Sequence, residues 1–148
     1  MSIWTPPYLG DFTTANTIYL YFNTNTNANP TVPVTITGFT TADIEIYKNG
    51  SATQRTSDSG FVLLDSDGID FDGQVGVHGC SIDLSDNSHA GFYAVGSEYV
   101  IVIQAITVAA TTVQYPAATF SIERTGCTLA LVKLLSTPDS IDVTITGS

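Results

Sequence analysis

The sequence predicts an all-β fold, a two-sheet sandwich of about seven strands. Hydrophobic residues make up 43% of the chain and charged residues only 12%. Thr, Val, Ile and Tyr are frequent, which favours strands because such side chains pack well on a half-buried pleated surface. Short apolar segments recur between clusters of Gly, Asn, Asp and Pro, as in sandwiches and barrels. A chain of 148 residues is the size of one domain, so we expect a single core.

The predicted strands are residues 17–23, 32–38, 43–49, 61–65, 77–84, 98–108 and 112–123. VTIT and IEIY, in the second and third of them, alternate apolar and polar residues, which indicates a sheet with one face in water. VIVI in the sixth does not alternate, so that strand is predicted to be central and covered on both faces. Pro116 lacks an amide hydrogen, so its part of the last strand should lie at an edge or a bulge.

One short helix is predicted between strands, in SDNSHAGFYAVG at residues 85–96. Ser85 or Asp86 can accept hydrogen bonds from the unpaired amides of a first turn, and Gly96 can adopt a left-handed conformation at the end. The prediction is a turn or two of helix that crosses between the sheets.

The two ends of the chain are predicted to lie outside the sandwich, which we place at residues 13–124. Residues 1–12 are predicted as an N-terminal arm. Residues 125–148 form a C-terminal extension with two further apolar segments, for which a hairpin or a strand-bearing arm is favoured over a helix. Both ends carry large apolar side chains that we expect to form the assembly interface, namely Trp4, Tyr8, Leu129, Leu131, Leu134, Ile141, Val143 and Ile145.

The stretch DSDGIDFDG at residues 65–73 concentrates four aspartates, Asp65, Asp67, Asp70 and Asp72. An EF-hand loop needs oxygen ligands at alternate positions, Gly at the sixth and Glu at the twelfth, and this spacing is absent. We therefore favour a solvated turn, since Asp and Gly are turn residues, in which Asp70 and Asp72 face water while Ile69 and Phe71 face the core. A non-standard Ca²⁺ site built from the four aspartates stays open as the alternative.

No pattern in the chain predicts catalytic or cofactor-binding residues. Carboxylates on one short turn are solvated, whereas a glycosidase pair needs two acids across a cleft, one of them with a raised pKa. The G-x-S-x-G elbow and Gly-rich phosphate loops are both absent from the sequence. His78 and Cys80 share a strand face but lack further ligands at metal spacing. We expect a protein that is not an enzyme and that uses no cofactor.

The net charge excludes several partners. Four Lys and Arg residues stand against fourteen Asp and Glu residues, a formal charge of −10, so no basic stripe is present to neutralise a phosphate backbone. The same acidity argues against docking on anionic membranes. The longest apolar run, residues 99–110, is interrupted by Gln104 and is too short to span a bilayer. Residues 1–12 lack the pattern of a secretory signal, so we expect synthesis in a cytoplasm.

Several pieces of the sequence occur in a recognisable order: YLGDF (8–12), TITGF (35–39), IEIYKNG (44–50), DFDGQVGVHGCSIDLS (70–85), FYAVGSEYVIVI (92–103) and ATFSIE (118–123). Their order resembles that in a family of small tailed-bacteriophage virion structural proteins with an immunoglobulin-like β-sandwich. The resemblance covers most of the chain and ends before residue 125. Gly96 followed by Glu98 and Tyr99 also looks like the tyrosine corner of such sandwiches, in which the phenol hydroxyl binds nearby backbone. Tyr99 is therefore expected to be structural.

The resemblance implies a non-enzymatic virion protein. Capsid decoration or cementing is the leading expectation, and a tail, baseplate or fibre component is the nearest alternative. The expected partners are a major capsid protein or tail proteins and further copies of the chain, with assembly in the host cytoplasm. A host-surface glycan-binding module is the alternative from another class. Tyr19, Tyr21 and Tyr47 would form its platform, and a Ca²⁺-dependent version would use the acids of residues 65–72.

Overall fold

The computed structural model describes residues 5–26, 28–64 and 70–124, and the predicted all-β, two-sheet fold is confirmed. The described residues form eight strands and two single helical turns. Each of the seven predicted strands overlaps one of the strands β2 to β8, and β7 and β8 each begin one residue before the predicted start. The strands are β1 (Tyr8–Phe12), β2 (Thr17–Asn23), β3 (Ile36–Thr37), β4 (Ile44–Lys48), β5 (Phe61–Leu63), β6 (Val77–Asp83), β7 (Ser97–Val108) and β8 (Thr111–Ile122); the turns are a 3₁₀ turn (Thr41–Asp43) and α1 (Asp70–Gly73).

The strands form two sheets. Sheet A has the order β1-β8-β7, and both β3 and β4 pair with the other side of β7. Sheet B has the order β2-β6-β5. All described pairs are antiparallel except β1 with β8, which is parallel. β3 and β4 therefore behave as two halves of one strand, interrupted by a short insertion that contains the 3₁₀ turn.

β7 is the central strand of sheet A, as predicted from its apolar run. Its inward side chains, among them Tyr99, Ile101 and Ile103, are buried in the core. The prediction that both faces are covered is wrong in part, because Val100 and Val102 on the outer face are only half-buried. An apolar sequence on both faces thus does not require a second covering layer, since half-burial of Val already removes much of its apolar surface from water.

The core lies between the two sheets and is built from one face of each. Sheet B supplies Ile18, Leu20, Cys80 and Ile82, and sheet A supplies Ile46, Ile101, Ile103, Ala118, Phe120 and Ile122. The rings of Tyr99 and Phe120 stack with their centroids 4.7 Å apart. Alternation along β2, and along β7 as far as Ile103, fixes which residues enter this layer, because neighbouring side chains of a strand point to opposite faces. Beyond Ile103 a register shift interrupts the alternation.

Pro116 is predicted to lie at a sheet edge or a β-bulge, and the structure places it at a bulge and beside an unpaired side of β8. The register of β7 with β8 shifts between Ile101–Ala118 and Val102–Pro116, which leaves one extra residue on β8. On its other side, β8 pairs with β1 only from Thr119 onward. The missing amide hydrogen of Pro116 therefore costs no ladder bond to a described strand on that side.

The helix predicted at residues 85–96 is wrong, because this segment consists of turns. Asp83 Oδ1 accepts a hydrogen bond from the Ser85 amide at 2.8 Å, and Asp86 Oδ1 accepts one from the Ser88 amide at 3.1 Å. Short polar side chains that bind backbone two residues ahead offer an alternative to the helical pattern. Asp86, predicted as a possible helix cap, in fact stabilises one of these turns.

The helical turn occurs instead at α1, within the acidic stretch. The prediction that Phe71 faces the core is wrong. The Phe71 ring packs on the exposed Tyr21 ring with a centroid distance of 5.7 Å. Asp65 and Asp67 lie outside the described residues, and the structure describes only the backbone of Asp70 and Asp72.

The predicted N-terminal arm contributes a strand to sheet A. Residues 8–12 form β1, whereas Trp4 lies outside the described residues. The C-terminal extension, with Leu129, Leu131, Leu134, Ile141, Val143 and Ile145, also lies outside them. Among the described residues, no helix has the length and apolar character needed to cross a bilayer.

Candidate binding surfaces

The outer face of sheet B carries a cluster of four exposed side chains, Tyr19, Tyr21, Val62 and Leu64. The half-buried Phe71 of α1 packs against them through Tyr21, and we call the five residues together the tyrosine face. Tyr19 and Tyr21 are 53% and 59% exposed, and Val62 is 56% exposed. The register explains the cluster, because Ser81 of β6 pairs with Tyr19 on one side and with Val62 on the other. Adjacent exposed apolar residues of this kind mark interaction surfaces more often than isolated ones do.

Small residues form the floor of the tyrosine face. Gly79 pairs with Tyr21, and its carbonyl accepts the Leu64 amide at 2.9 Å, so it lies between these two side chains. A Cβ atom at Gly79 would be 3.0 Å from both the Phe71 and the Tyr21 ring. Glycine therefore permits the two rings to pack across β6. With Ser81 in the next row, the centre of the face is lower than its two sides.

The outer face of sheet A contains a second surface. Tyr8, Thr119, Val100 and Tyr47 are paired in a single row across β1, β8, β7 and β4. The two tyrosines stand at the ends of this row, roughly 14 Å apart from strand to strand at the usual spacing. They flank a cavity of about 350 Å³ that Thr119 and Val100 also line. We call this cavity the trough.

A β-bulge in β1 arranges one wall of the trough. Tyr8 pairs with Thr119 but Asp11 pairs with Ser121, so three steps along β1 correspond to two along β8. Gly10 takes up the difference at φ 132°, a conformation that a side chain would strain. Tyr8 and Asp11 consequently lie on the same face, both beside Ser121.

Tyr8 is both exposed and held in place. Its ring is 55% exposed, yet its hydroxyl is 2.5 Å from Ser121 Oγ. Ser121 Oγ in turn donates to Asp11 Oδ1 at 2.6 Å, which leaves the Tyr8 hydroxyl as the donor to Ser121. Asp11 also accepts the Arg124 amide at 3.3 Å. Because Ser121 is fully buried, this chain of hydrogen bonds fixes an exposed ring against the protein.

The opposite wall is Tyr47, next to a buried carboxylate. Glu45 is only 7% exposed although it lies on the outer side of β4. Its Oε1 accepts a hydrogen bond from Gln104 Nε2. Burial raises the pKa of Glu45, the Asp58 charge raises it further, and the nearby Tyr47 hydroxyl opposes the shift. Oε2 nevertheless has no hydrogen bond of ordinary geometry. Burial, together with the Glu45 charge, also raises the pKa of Tyr47.

Charged and amide groups lie at one end of the trough. Glu98 and Arg124 form an exposed ion pair at 2.5 Å, and both line the cavity with Asn49. Asn49 is already engaged, because its Oδ1 accepts the Glu98 amide at 2.8 Å. The trough thus combines two aromatic walls, a small apolar floor and one pair of opposite charges.

The sugar platform predicted from Tyr19, Tyr21 and Tyr47 does not exist as one surface, since the first two lie on sheet B and the third on sheet A. Tyr47 instead shares its row with Tyr8, which the sequence predicts to lie in an assembly arm. The sequence does not predict the row from Tyr8 to Tyr47. The place of Tyr8 in that row depends on the bulge in β1 and on the parallel pairing of β1 with β8, which are far apart in the sequence. Gly10 inside a strand-like segment was the signal for it.

His78 and Cys80 are buried side chains of the interior. His78 Nε2 is 2.9 Å from Thr24 Oγ1, and that hydroxyl donates to the Val34 carbonyl at 2.5 Å, so His78 is the donor to Thr24. Burial raises the pKa of the Cys80 thiol to about 12, far from a reactive thiolate. Over the described ranges, no three His, Cys, Asp or Glu side chains are grouped for metal binding.

The Tyr99 hydroxyl binds the backbone of the turn that precedes β7. It donates to the Phe92 carbonyl at 2.9 Å and accepts from the Ala94 amide at 2.8 Å. Burial raises the pKa of Tyr99, and hydrogen bonds with the Ala94 backbone and with Ser97 partly offset this rise. Tyr99 lies on the core side and does not contribute its side chain to the tyrosine face.

Comparison of the chain with protein-family models, with curated proteins and with solved structures returned no match.

Proposed function

We propose that this chain is a non-enzymatic bacteriophage virion structural protein that decorates or cements a capsid as repeated copies. A tail, baseplate or fibre component is the nearest alternative within the same class. The proposal combines the resemblance of the sequence to such proteins with an exposed surface suited to docking on another protein. The partner would be the major capsid protein or a tail protein.

Strand order supports an immunoglobulin-like assignment of the sandwich. That fold places its second, fifth and fourth strands in one sheet and its third, sixth and seventh in the other. If the β3–β4 pair counts as the third strand, sheet B here matches the first set and sheet A the second, with β1 as an added edge strand. The hydroxyl of Tyr99, near the start of β7, binds backbone upstream as in a tyrosine corner.

The tyrosine face is the observation that carries the docking proposal. Its exposed aromatic and aliphatic side chains lie side by side on a regular sheet, and aromatic rings contribute large contact area and often anchor protein interfaces. Protein docking requires such a surface and requires no catalytic group. The net charge of −10 would keep free copies apart in solution until a partner surface covers the face.

The test measures binding of the full chain to virion particles assembled without it, using a matched pair of variants. Val62→Asp places a charge in the middle of the tyrosine face. Val95→Asp makes the same change at a residue of similar exposure, 59% against 56%, in the turn before β7. Both variants should fold, because both side chains face solvent.

Saturable binding by the parent and by Val95→Asp, with binding lost in Val62→Asp, would support the proposal. Failure of the parent to bind particles would refute the virion role. Equal binding by Val62→Asp would refute the tyrosine face as the interface. The density of the bound chain in particle images would then separate a head location from a tail location.

A further inference from the structure

We propose that the trough on sheet A is a binding site for a neutral saccharide, separate from the docking surface on sheet B. The inference is independent of the virion role, since it depends only on the row from Tyr8 to Tyr47 and on the charged pair at its end. Its volume of about 350 Å³ falls at the small end of ligand pockets, about 300–1,000 Å³.

The preorganisation of Tyr8 is the first argument. An exposed tyrosine ordinarily moves among rotamers, and a ligand that stacks on it must offset the lost freedom. The buried Ser121 and the bulged Asp11 already fix the Tyr8 hydroxyl, so its ring is ordered before any ligand arrives. A bulge that turns Asp11 to this face is the kind of local irregularity that re-aims side chains at binding sites.

The chemistry of the walls selects the ligand class. Aromatic walls over a floor of Thr119 and Val100 suit a flat ligand with C–H groups on its faces. The carboxylate of Glu98 and the guanidinium of Arg124 are planar groups that can accept from and donate to neighbouring hydroxyls. A sugar ring combines apolar faces with such hydroxyls at its edge.

The charges argue for a neutral sugar. Glu98 and Arg124 neutralise each other at 2.5 Å, and Asp11 lies one row away, so the trough offers no net positive charge. The whole chain carries −10, which repels anions from its surface. A sialylated or sulfated glycan should therefore bind more weakly than its neutral counterpart.

The experiment titrates the isotope-labelled full chain with neutral trisaccharides of glucose, galactose, mannose and N-acetylglucosamine, and follows backbone amide resonances. Sialyllactose is the anionic comparator. Tyr8→Ala is compared with Tyr19→Ala, which removes a ring of nearly equal exposure, 53% against 55%, from the opposite sheet. Tyr8→Phe keeps the ring and removes only its tie to Ser121.

At least one neutral trisaccharide should shift the amides of Val100 and Thr119 saturably. Tyr8→Ala should weaken that binding about tenfold, as expected for loss of one stacked ring, and Tyr8→Phe should weaken it less. Tyr19→Ala and Val62→Asp should bind like the parent, so this result is independent of particle docking.

Three results would overturn the proposal: no saturable shift at the row with any neutral probe, equal losses in Tyr8→Ala and Tyr19→Ala, or tighter binding of sialyllactose than of every neutral trisaccharide. If Tyr8→Ala fails to fold, Tyr8→Phe takes its place as the test of the Tyr8 wall. Unchanged affinity in Tyr8→Phe would overturn the argument that the fixed hydroxyl prepares the ring for a sugar.

Discussion

The hydroxyl of Tyr99 lies 2.9 Å from the carbonyl oxygen of Phe92, seven residues earlier in the chain. This bond closes the turn that joins the two sheets between β6 and β7. The same hydroxyl accepts the Ala94 amide, so one side chain satisfies a donor and an acceptor of a segment without regular structure. Buried backbone groups need such partners where no ladder or helix provides them.

Tyr99→Phe should lower the free energy of unfolding by about 1 kcal/mol, the usual net value of one buried hydrogen bond. The ring and its stacking on Phe120 are retained, so the loss reports the hydroxyl alone. Urea denaturation measures it, and Tyr21→Phe, with an exposed hydroxyl, is the control expected to change little. Equal stability of the parent and Tyr99→Phe would mean that the hydrogen bonds of the Tyr99 hydroxyl do not stabilise the fold.

Arg55 ties two loops together from inside the protein, and its substitution should be costly. Its side chain is 1% exposed and pairs with Asp86, and its guanidinium also donates to the Ser59 carbonyl at 3.0 Å and to Ser88 Oγ at 3.1 Å. Arg55→Lys should cost about 2 kcal/mol, since one ammonium cannot satisfy acceptors placed around a planar fork. Thermal unfolding measures the change.

The matched control for Arg55→Lys is Arg124→Lys, at an exposed ion pair whose two side chains are 48% and 57% exposed. That substitution should stay within about 0.5 kcal/mol of the parent, as is usual for surface changes. If Arg124→Lys lowers the stability as much as Arg55→Lys does, burial of the Arg55 guanidinium does not explain the cost of Arg55→Lys.

Glu45 should make stability fall as pH rises. Burial, and then the Asp58 charge, raise its pKa above the ordinary 4.5, so the folded state binds this proton more tightly than the unfolded chain does. The resulting stabilisation is complete below the unfolded pKa and is lost as pH rises through the folded one. Glu45→Gln should therefore be more stable than the parent at pH 8 and lose that advantage at pH 4.

Thermal melts at both pH values measure the Glu45 effect, with Glu98→Gln as the exposed control. The Gln side chain can still accept from Gln104, so the substitution removes the charge but keeps that bond. A parent that outperforms Glu45→Gln at pH 8 would mean that the carboxylate is stabilised by contacts stronger than its burial cost.

The strands of this fold are predictable from sequence because their signals are local. β2 was placed at its observed bounds, since TIYLYFN alternates cleanly between core and solvent. The segment 85–96 was misassigned because its turns depend on Asp86, which Arg55 and Ser59 hold from another loop. Propensity within twelve residues contains no information about a partner some thirty residues away.

The binding surfaces were less accessible to sequence reasoning. Tyr19 and Tyr21 were recognised as candidates, but whether Tyr47 joined them depended on which sheet β4 enters. Tyr8 and Thr119 are neighbours only through a parallel pairing that spans most of the domain. A one-residue change of register moves a side chain to the other face, so the bulge at Gly10 decides whether Asp11 supports Tyr8.

The acidic stretch at residues 65–73 is predicted to hold no structural Ca²⁺. Adding a chelator or millimolar Ca²⁺ should leave the melting temperature unchanged, because a site at a hundred times its dissociation constant would add about 2.7 kcal/mol to stability. Differential scanning calorimetry checks this, with Mg²⁺ as the control for ionic strength. A clear drop on chelation would establish the non-standard site of Asp65, Asp67, Asp70 and Asp72 instead of a solvated turn.

Deletion of residues 125–148 should leave a folded sandwich that no longer joins its assembly. The described strands already form two sheets around a shared core. The amide of Arg124, the last described residue, donates to Asp11 Oδ1 at 3.3 Å. The extension contains Ile141, Val143 and Ile145 at alternate positions, a pattern suited to strand addition at a sheet edge. β2 offers such an edge, since it pairs with β6 and with no other described strand.

The deletion is tested by comparing thermal unfolding and particle binding of the truncated chain with those of the full chain. A full-length variant with Ile141, Val143 and Ile145 changed to Ser is the matched control, because it keeps the length but removes the apolar side of the segment. Both should melt near the parent temperature and fail to bind, since exposed edges gain from pairing only when register and side chains match. If the truncated chain does not fold, the extension belongs to the domain core; if it binds particles normally, the interface lies elsewhere and the assembly role of the extension is wrong.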